Sequence, residues 1–174
     1  MRFLKPILLV FTGLFIVVTL LSLLIPSKII TAKAVSVQAD SLLLFKQISE
    51  LKNWKNWHPS FSNDSSSLEI IKTKNAGLDK ATWLQKGKKY SLIIIKNKYP
   101  LVQINIQAPG ELDVVNIFTL MPVQEQGNMQ VQWQSILQLK WYPWEKFSGI
   151  FIEKMAGQGN EEALKSLKLY MEKS

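Results

Sequence analysis

An uncharged apolar run near the N-terminus constrains this chain more than any other feature. No Asp, Glu, Lys or Arg occurs between Ile7 and Ile25. As a helix rising about 1.5 Å per residue, the run is roughly 28 Å long, close to the hydrocarbon thickness of a bilayer. It has no polar side for water, which disfavours a helix on the surface of a soluble domain. We therefore predict a transmembrane anchor at residues 1–27, with residues 7–25 in the lipid bilayer, and one domain at residues 28–174.

A cleaved secretory signal is the alternative interpretation of the same run. Ala32-Lys33-Ala34 has the small-x-small pattern of a cleavage site. However, the apolar run exceeds the ~7–15 residues of a signal peptide, and the tripeptide lies well past its end. Cleavage after Ala34 would also remove half of the first predicted strand. These points favour an uncleaved, single-pass membrane protein.

Basic residues flank the run on both sides, so its orientation stays open. Arg2 and Lys5 precede the run, and Lys28 and Lys33 follow it. The lysine and arginine bias that sets orientation is therefore nearly balanced. Short basic N-termini usually stay in the cytoplasm, which favours a domain outside the inner membrane of a bacterium.

The basic character of the chain comes from lysine. The formal net charge is +8, and Arg2 is the only arginine. Nucleic-acid readers rely on arginine forks, so no nucleic-acid partner is expected. Lysines concentrate in the middle of the domain, at Lys72, Lys74, Lys80, Lys86, Lys88, Lys89, Lys96 and Lys98. Contact with anionic headgroups and protection of strand edges against aggregation both fit these lysines, and both interpretations stay open.

The sequence of residues 28–174 predicts strands and helices in an α+β order. Ile29, Ile30 and further β-branched residues indicate a strand at Lys28–Gln38. Asp40 or Ser41 can cap a helix over Leu42–Lys52, and the serine-rich stretch Ser60–Ser67 predicts a loop. Period-two patterns separated by turn signals then predict six strands: Leu68–Lys74, Lys80–Gln85, Lys89–Lys98, Leu101–Gln107, Leu112–Met121 and Met129–Lys140.

Two of these strands alternate strongly between apolar and polar residues. Val102, Ile104 and Ile106 alternate with polar residues. The last strand alternates in a similar way. Glutamines occupy most of the positions between seven alternate residues that form one face: Met129, Val131, Trp133, Ser135, Leu137, Leu139 and Trp141. Such alternation is typical of an antiparallel sheet that is covered on one face only.

A long C-terminal helix is expected to cover the sheet. Its apolar residues recur at helical spacing: Trp144, Phe147, Phe151, Met155, Leu164, Leu167 and Met171. Gly157-Gln158-Gly159 predicts a kink or break, with Asn160 as the N-cap of the second segment.

These features together resemble the START-like, or SRPBCC, superfamily, which includes polyketide cyclase-like proteins. The segment 35–48 (VSVQADSLLLFKQI) is similar to the family's first strand and its A-P-x-x-x-V-F helix start, with Ala39-Asp40 in place of Ala-Pro. The segment 51–59 (LKNWKNWHP) is similar to the D-x-x-x-W-x-x-W-x-P motif without its acidic residue, and residues 162–168 (EALKSLK) resemble the end of the long helix. The resemblance covers about residues 28–173. Pro26-Ser27 also resembles the end of the span in a membrane-anchored subgroup.

The resemblance implies a helix-grip fold, in which a curved antiparallel sheet wraps a long C-terminal helix around a hydrophobic cavity. Family members bind lipids, sterols, polyketides or other apolar ligands, and a few are cyclases or hydrolases. Nine residues are the expected lining of the cavity: Trp54, Trp57, Trp83, Val102, Ile104, Ile106, Trp133, Phe151 and Met155. For Trp54 and Trp57, packing of the core is the favoured alternative.

The chain offers little for catalysis. It has no cysteine and one histidine, which excludes thiol chemistry, Cys-ligated zinc and multi-histidine metal sites. His58 precedes Pro59 and is more typical of an exposed or capping residue than of a general base. Asp113 lacks a defined acidic partner. We therefore expect no catalytic residue, metal or cofactor.

The predicted function is a membrane-anchored domain that binds a hydrophobic small molecule or lipid between the sheet and the C-terminal helix. Two alternatives remain: a cyclase- or hydrolase-like enzyme using His58 or Asp113, and a ligand-free structural or partner-binding domain.

Overall fold

The computed structural model describes residues 4–62, 69–72, 79–85, 87–123 and 127–173. A helix precedes the first strand, short helices follow it, six further strands come next, and a long helix closes the chain. In chain order the elements are α1 (Leu4–Leu23), β1 (Lys28–Gln38), α2 (Ser41–Ser49), a 3-10 turn (Leu51–Asn53), α3 (Trp54–Trp57), α4 (Pro59–Ser62), β2 (Glu69–Lys72), β3 (Asp79–Gln85), β4 (Lys88–Lys98), β5 (Leu101–Gln107), β6 (Val114–Pro122), β7 (Asn128–Gln138) and α5 (Pro143–Lys173). The predicted α+β class and the long C-terminal helix are confirmed.

The strands form one antiparallel sheet in the order β1-β7-β6-β5-β4-β3-β2. The first strand of the chain therefore pairs with the last, with Lys28 opposite Gln138 and Gln38 opposite Asn128. A bulge interrupts the pairing of β4 with β5 between Ile94 and Lys96, and bulges of this kind bend a sheet. The curved sheet has one face packed against the helices, as the helix-grip fold requires.

Most predicted strand limits are close to those observed. The strands Lys28–Gln38 and Leu101–Gln107 are confirmed as predicted. The strand predicted from Leu112 begins only at Val114, and the one predicted to reach Lys140 ends at Gln138. The predicted start at Leu68 and the end at residues 73–74 lie outside the described residues.

Asp40, rather than Ser41, caps the first helix of the domain. Asp40 Oδ1 accepts hydrogen bonds of 2.9 Å from the backbone N–H groups of Leu42 and Leu43. The predicted helix to Lys52 ends instead at Ser49, and the chain continues through the 3-10 turn into α3. Pro59 does not close this region; it begins α4, because proline fits the first position of a helix.

The long helix α5 is continuous, so the predicted break at residues 157–159 is wrong. A glycine inside a helix costs only about 1 kcal/mol relative to alanine, which tertiary packing can offset. Here Gly157 faces β1, where an added Cβ would lie 3.3 Å from Thr31 Cγ2. Asn160 is not an N-cap; it lies inside the helix, buried, and its Nδ2 donates a 2.7 Å hydrogen bond to Ser135 Oγ.

The first half of α5 is rotated relative to the prediction. Trp144, Phe147, Phe151 and Met155 are all exposed rather than packed on the sheet. Gly149 faces the sheet instead, and a Cβ there would lie 2.6 Å from Leu139 Cδ1. Only the second half follows the prediction, with residues 163, 164 and 167 buried. Trp141, which was predicted to share the inner face of the last strand, is also exposed.

The helix α1 is apolar and largely exposed, and it has the length and composition to cross a membrane. A signal sequence near the N-terminus has the same properties. The C-terminal end of α1 touches α5, and Ser22 is fully buried. Lys146 of α5 is buried as well, and its Nζ donates hydrogen bonds to the carbonyl oxygen of Ile25 (2.8 Å) and to Ser27 Oγ. The chain between α1 and β1 is therefore attached to the domain.

Candidate ligand-binding site

An aromatic cluster fills the space between the sheet and the short helices. Trp54 lies at its centre, with ring centroids 5.3 Å from Trp57 and 5.9 Å from Phe118. Both tryptophans of α3 are 2% exposed, and their Nε1 groups donate to the backbone oxygens of Ile48 (2.8 Å) and Gln47 (3.1 Å). Because their polar atoms are paired inside the fold, these tryptophans pack the core, as the favoured alternative predicts.

His58 belongs to the same cluster. Its ring stacks on Trp54 at 5.2 Å with an interplanar angle of 6°, and it also contacts Phe61 and Trp133. Burial among these rings lowers the pKa of His58 to about 4, because the charged form loses its hydration. Its Nδ1 accepts a 3.2 Å hydrogen bond from the backbone N–H of Ser60. The imidazole is therefore neutral at pH 7 and caps the start of α4; the expected capping role is confirmed, and the side chain is half-buried rather than fully exposed.

A buried polar network crosses the interior from the sheet to α5. Asn116 Oδ1 accepts hydrogen bonds from Trp133 Nε1 (2.9 Å) and from Ser135 Oγ (2.7 Å). Ser135 Oγ in turn accepts from Asn160 Nδ2. The polar side chains that converge in the interior thus bond one another, and the network joins β6, β7 and α5.

The two acid–base candidates do not form a catalytic pair. Asp113 is exposed and lies just before β6, where its Oδ2 accepts a 2.7 Å hydrogen bond from Gln107 Nε2. His58 lies in the aromatic cluster. Among the described residues, no group of three or more Asp, Glu and His side chains is placed to hold a metal ion.

The structure divides the expected cavity lining into two groups. Trp83, Val102, Ile104 and Trp133 are buried with the α3 tryptophans, and Ile106 packs against them. Trp83 stacks on Tyr90 at 5.2 Å, and its Nε1 is buried without a hydrogen-bond partner among the described residues. Phe151 and Met155 do not face the interior, because they lie on the opposite side of α5.

An open groove of about 580 Å³ runs between β1 and α5. It is lined by Ile30, Thr31, Ala32, Lys33, Ile150, Glu153, Lys154, Gly157 and Gln158. A second groove of about 350 Å³ shares Ile30, Ile150 and Glu153 with it and reaches the residues that follow α1, Ile25 and Pro26. The two grooves therefore adjoin each other along α5.

The far end of the larger groove is charged. Glu161 contacts Lys165 at 2.8 Å and Lys33, a lining residue, at 3.0 Å. Hydrogen bonds from Lys165 and Lys33 hold the pKa of Glu161 at about 2, so its carboxylate stays ionised over the whole physiological range. The groove combines apolar walls at Ile30 and Ile150 with an ionic end, which suits an amphipathic molecule.

Sequence reasoning missed this groove, although one signal was available. Ile30 alternates with Ile29 along β1, so one of these two large apolar residues must lie on the outer side of the strand. Ile30 does so and is 49% exposed. An apolar residue on the outer side of an edge strand is therefore the sequence feature that corresponds to the groove.

Four lysines of the lysine-rich region lie on β4, an inner strand of the sheet that pairs with both β3 and β5. Lys88, Lys89, Lys96 and Lys98 are exposed, and Lys88 Nζ contacts Glu111 Oε1 at 2.7 Å. Lys74 and Lys86 lie outside the described residues.

Comparison with known proteins identifies the fold. No family model and no curated protein sequence matches the chain. A START superfamily protein from Mycobacterium smegmatis matches with a TM-score of 0.63 and 17% identity, over 83% of this chain and 98% of that one. The Zhui aromatase/cyclase from Streptomyces sp. R1128 matches with a TM-score of 0.59 and 10% identity, over 84% of this chain and 94% of that one. Truncated norcoclaurine synthase from Thalictrum flavum matches with a TM-score of 0.58 and 12% identity, over 81% and 91%.

At these identities the similarity establishes the fold alone. The chain has the START-like, or SRPBCC, fold that its sequence resembles.

Proposed function

We propose that this protein is a membrane-anchored START-like domain that binds a hydrophobic, lipid-derived molecule between the edge of the sheet and α5. The groove between β1 and α5 carries the proposal. Its volume of about 580 Å³ lies within the range of small-molecule sites, roughly 300–1,000 Å³. The adjoining groove extends to Ile25 and Pro26, where the anchor ends.

The position of the groove supports uptake from a bilayer. With α1 across the membrane, the chain leaves the lipid near Pro26, and the smaller groove begins at that residue. An alkyl chain that moved from water into this groove would gain about 0.8 kcal/mol per methylene, without any catalytic group. Lys154 lines the same groove and suits the polar or anionic end of such a molecule, whereas Lys33 pairs with Glu161.

For the alternative of a cyclase- or hydrolase-like enzyme, neither candidate residue lies in a site suited to catalysis. Family relatives of the same fold include enzymes by name, but here His58 is neutral within an aromatic cluster and Asp113 lies at the surface. The packed aromatic interior also favours a ligand at the sheet edge over one beneath the helix.

Filling the groove should abolish binding. Ala32 lines the groove and is exposed, so tryptophan at this position occupies the space of a ligand. Ser36→Trp is the matched control, because Ser36 lies on the same face of β1, about 13 Å further along. Both residues also pair with a glutamine of β7, Ala32 with Gln134 and Ser36 with Gln130.

The measurement is native mass spectrometry of the full chain, released from lipid nanodiscs, to count retained lipid-sized molecules. We expect the wild type and Ser36→Trp to retain one molecule and Ala32→Trp to lose it at least tenfold, which corresponds to about 1.4 kcal/mol or more. Equal retention by all three chains, or none by the wild type, would contradict a ligand in this groove.

A further inference from the structure

An apolar stripe covers the outer side of the first half of α5. We call it the outer stripe and define it as Trp144, Phe147, Phe151 and Met155. These residues follow one another at steps of three or four, so they share one side of the helix. Phe151 is 71% exposed and Met155 is 72% exposed.

The described residues of the domain leave the outer stripe uncovered, because the opposite side of α5 holds the helix on the sheet. Lys146, Gly149 and Gly157 are buried on that side. Rotating the helix to bury the stripe would remove these close contacts and place large aromatic side chains where Gly149 leaves no room for a single Cβ.

The apolar exposure is concentrated in one half of the helix. Gln158, Glu162 and Lys165 continue the same outer side toward the C-terminus, and these three exposed polar residues separate the stripe from Leu169, which is 57% exposed. The half of α5 that carries the stripe is the half that contacts the end of α1, through Lys146 and the carbonyl oxygen of Ile25.

The start of α5 has the residues of a membrane–water interface. Trp141, Tyr142 and Trp144 form a surface group in which successive rings are 5.0 Å apart. Both tryptophans are 63% exposed. Tryptophan and tyrosine concentrate where hydrocarbon meets headgroups. Lys140 and Lys154 are exposed nearby, where lysine favours anionic lipids.

We infer that the outer stripe inserts into the headgroup region of the same bilayer that holds α1, so that α5 lies along the membrane as an interfacial helix. The inference rests on the proposed function, since it requires α1 to span that bilayer. An apolar helix side of this kind enters the boundary between headgroups and acyl chains by about 5–10 Å. The domain is then held at two points, and the groove beside Ile150 opens close to the lipid.

The absence of native cysteine makes a direct test possible. Single cysteines are introduced at Phe151, at Met155, at Leu169 and at Leu14, one per full-length chain. Leu169 lies on the same helix beyond the stripe and is 57% exposed, and Leu14 lies in α1 and is 58% exposed. Each chain is labelled with an environment-sensitive fluorophore and reconstituted into vesicles of phosphatidylcholine and phosphatidylglycerol.

Quenching by nitroxide lipids and by aqueous iodide then locates each label. We expect lipid nitroxides to quench the labels in Phe151→Cys and Met155→Cys several-fold more than the label in Leu169→Cys, with iodide showing the reverse order. The label in Leu14→Cys should be reached by lipid nitroxides only.

Each other outcome overturns a defined step. If the Leu14→Cys label lies in lipid while the Phe151→Cys and Met155→Cys labels are open to iodide, the interfacial helix is wrong and the span stands. If iodide reaches the Leu14→Cys label, the span itself is wrong, and the inference fails with it. If the stripe labels are shielded from both quenchers and transfer energy between two differently labelled chains, a second copy covers the stripe and the membrane contact is wrong.

Discussion

His58 lies between aromatic rings, which makes the stability of the domain depend on pH. Its pKa is about 4 in the folded protein, against an ordinary value of 6.5 for an exposed imidazole. At pH values above 6.5 both states hold the neutral ring. Between pH 6.5 and pH 4 the unfolded chain binds a proton that the folded protein does not, so the free energy of unfolding falls as the pH falls.

Replacing His58 with phenylalanine should remove this dependence. Over the 1.5 units from pH 6.5 to pH 5, the wild type should lose on the order of 2 kcal/mol of unfolding free energy that the His58→Phe variant retains. Urea unfolding of the full chain in detergent micelles at the two pH values measures the difference. Since His58 is the only histidine, no other imidazole titrates in this window. Equal losses in the two proteins would mean that the ring is hydrated in the folded state.

The local sequence was sufficient to predict that His58 caps a helix. It was not sufficient to predict the aromatic rings that surround the side chain. The neighbouring proline indicates a turn, and the hydrogen bond from Ser60 to Nδ1 spans only two residues. The enclosure depends on Trp133 of β7, which is distant in the chain and reaches His58 only after the sheet forms. No periodicity in the sequence reports such a contact.

At the scale of elements, α5 shows what spacing does and does not determine. Apolar residues at three- and four-residue steps predicted the helix, and strict alternation predicted β5, because the period of each pattern is visible in the sequence. The side that packs is a different matter, since α5 has two candidate sides. The sequence predicted that the aromatic side packs on the sheet. In the structure the side with Gly149 and Gly157 packs there instead. These glycines allow the helix to approach Ile29 and Thr31 of β1 closely.

Two glycines of α5 should therefore respond oppositely to alanine. In Gly149→Ala the new Cβ would lie 2.6 Å from Leu139 Cδ1 and 2.8 Å from Ile29 Cδ1, so the helix or its neighbours must shift. We expect a loss of about 1–2 kcal/mol. In Gly159→Ala the Cβ meets nothing within 4 Å, and the gain in helix propensity should stabilise the protein by about 0.5–1 kcal/mol.

Thermal unfolding followed by circular dichroism compares the two variants with the wild type. Stabilisation by both alanines would show that α5 does not approach β1 closely in solution. Destabilisation by Gly159→Ala would contradict the open space around residue 159, because it would mean that the added Cβ meets another part of the protein.

At the scale of the whole molecule, Lys146 fixes the end of α1 relative to the domain. Its ammonium group donates to the carbonyl oxygen of Ile25 and to Ser27 Oγ while the side chain is 4% exposed. Hydrogen bonds that involve a charged group contribute about 1.5–3 kcal/mol. The chain between α1 and β1 is therefore held in one conformation instead of acting as a flexible tether.

The Lys146→Met variant should release this attachment, because methionine keeps the apolar stem and removes the donors. Nitroxide labels on cysteines introduced at Leu14 and Leu169 report the distance between anchor and domain by double electron–electron resonance in nanodiscs. We expect a narrow distance distribution in the wild type and a clearly broader one in Lys146→Met. Lys154→Met, which replaces an exposed lysine two turns further along α5, is the control and should leave the distribution narrow. A distribution that is equally broad in all three proteins would contradict the attachment.

The pairing of β1 with β7 has a consequence for how the protein is made. β1 leaves the ribosome directly after α1, but β7, with which it pairs, is the last strand of the sheet to be synthesised. At about 5–20 residues per second, β1 remains without its partner strand for several seconds. The contacts that join α5 to β1 can form only after that delay, so closure of the sheet and seating of the helix are late, non-local events. If α1 spans a bilayer, as proposed, that bilayer is the first surface available to β1, before its partner strand β7 exists.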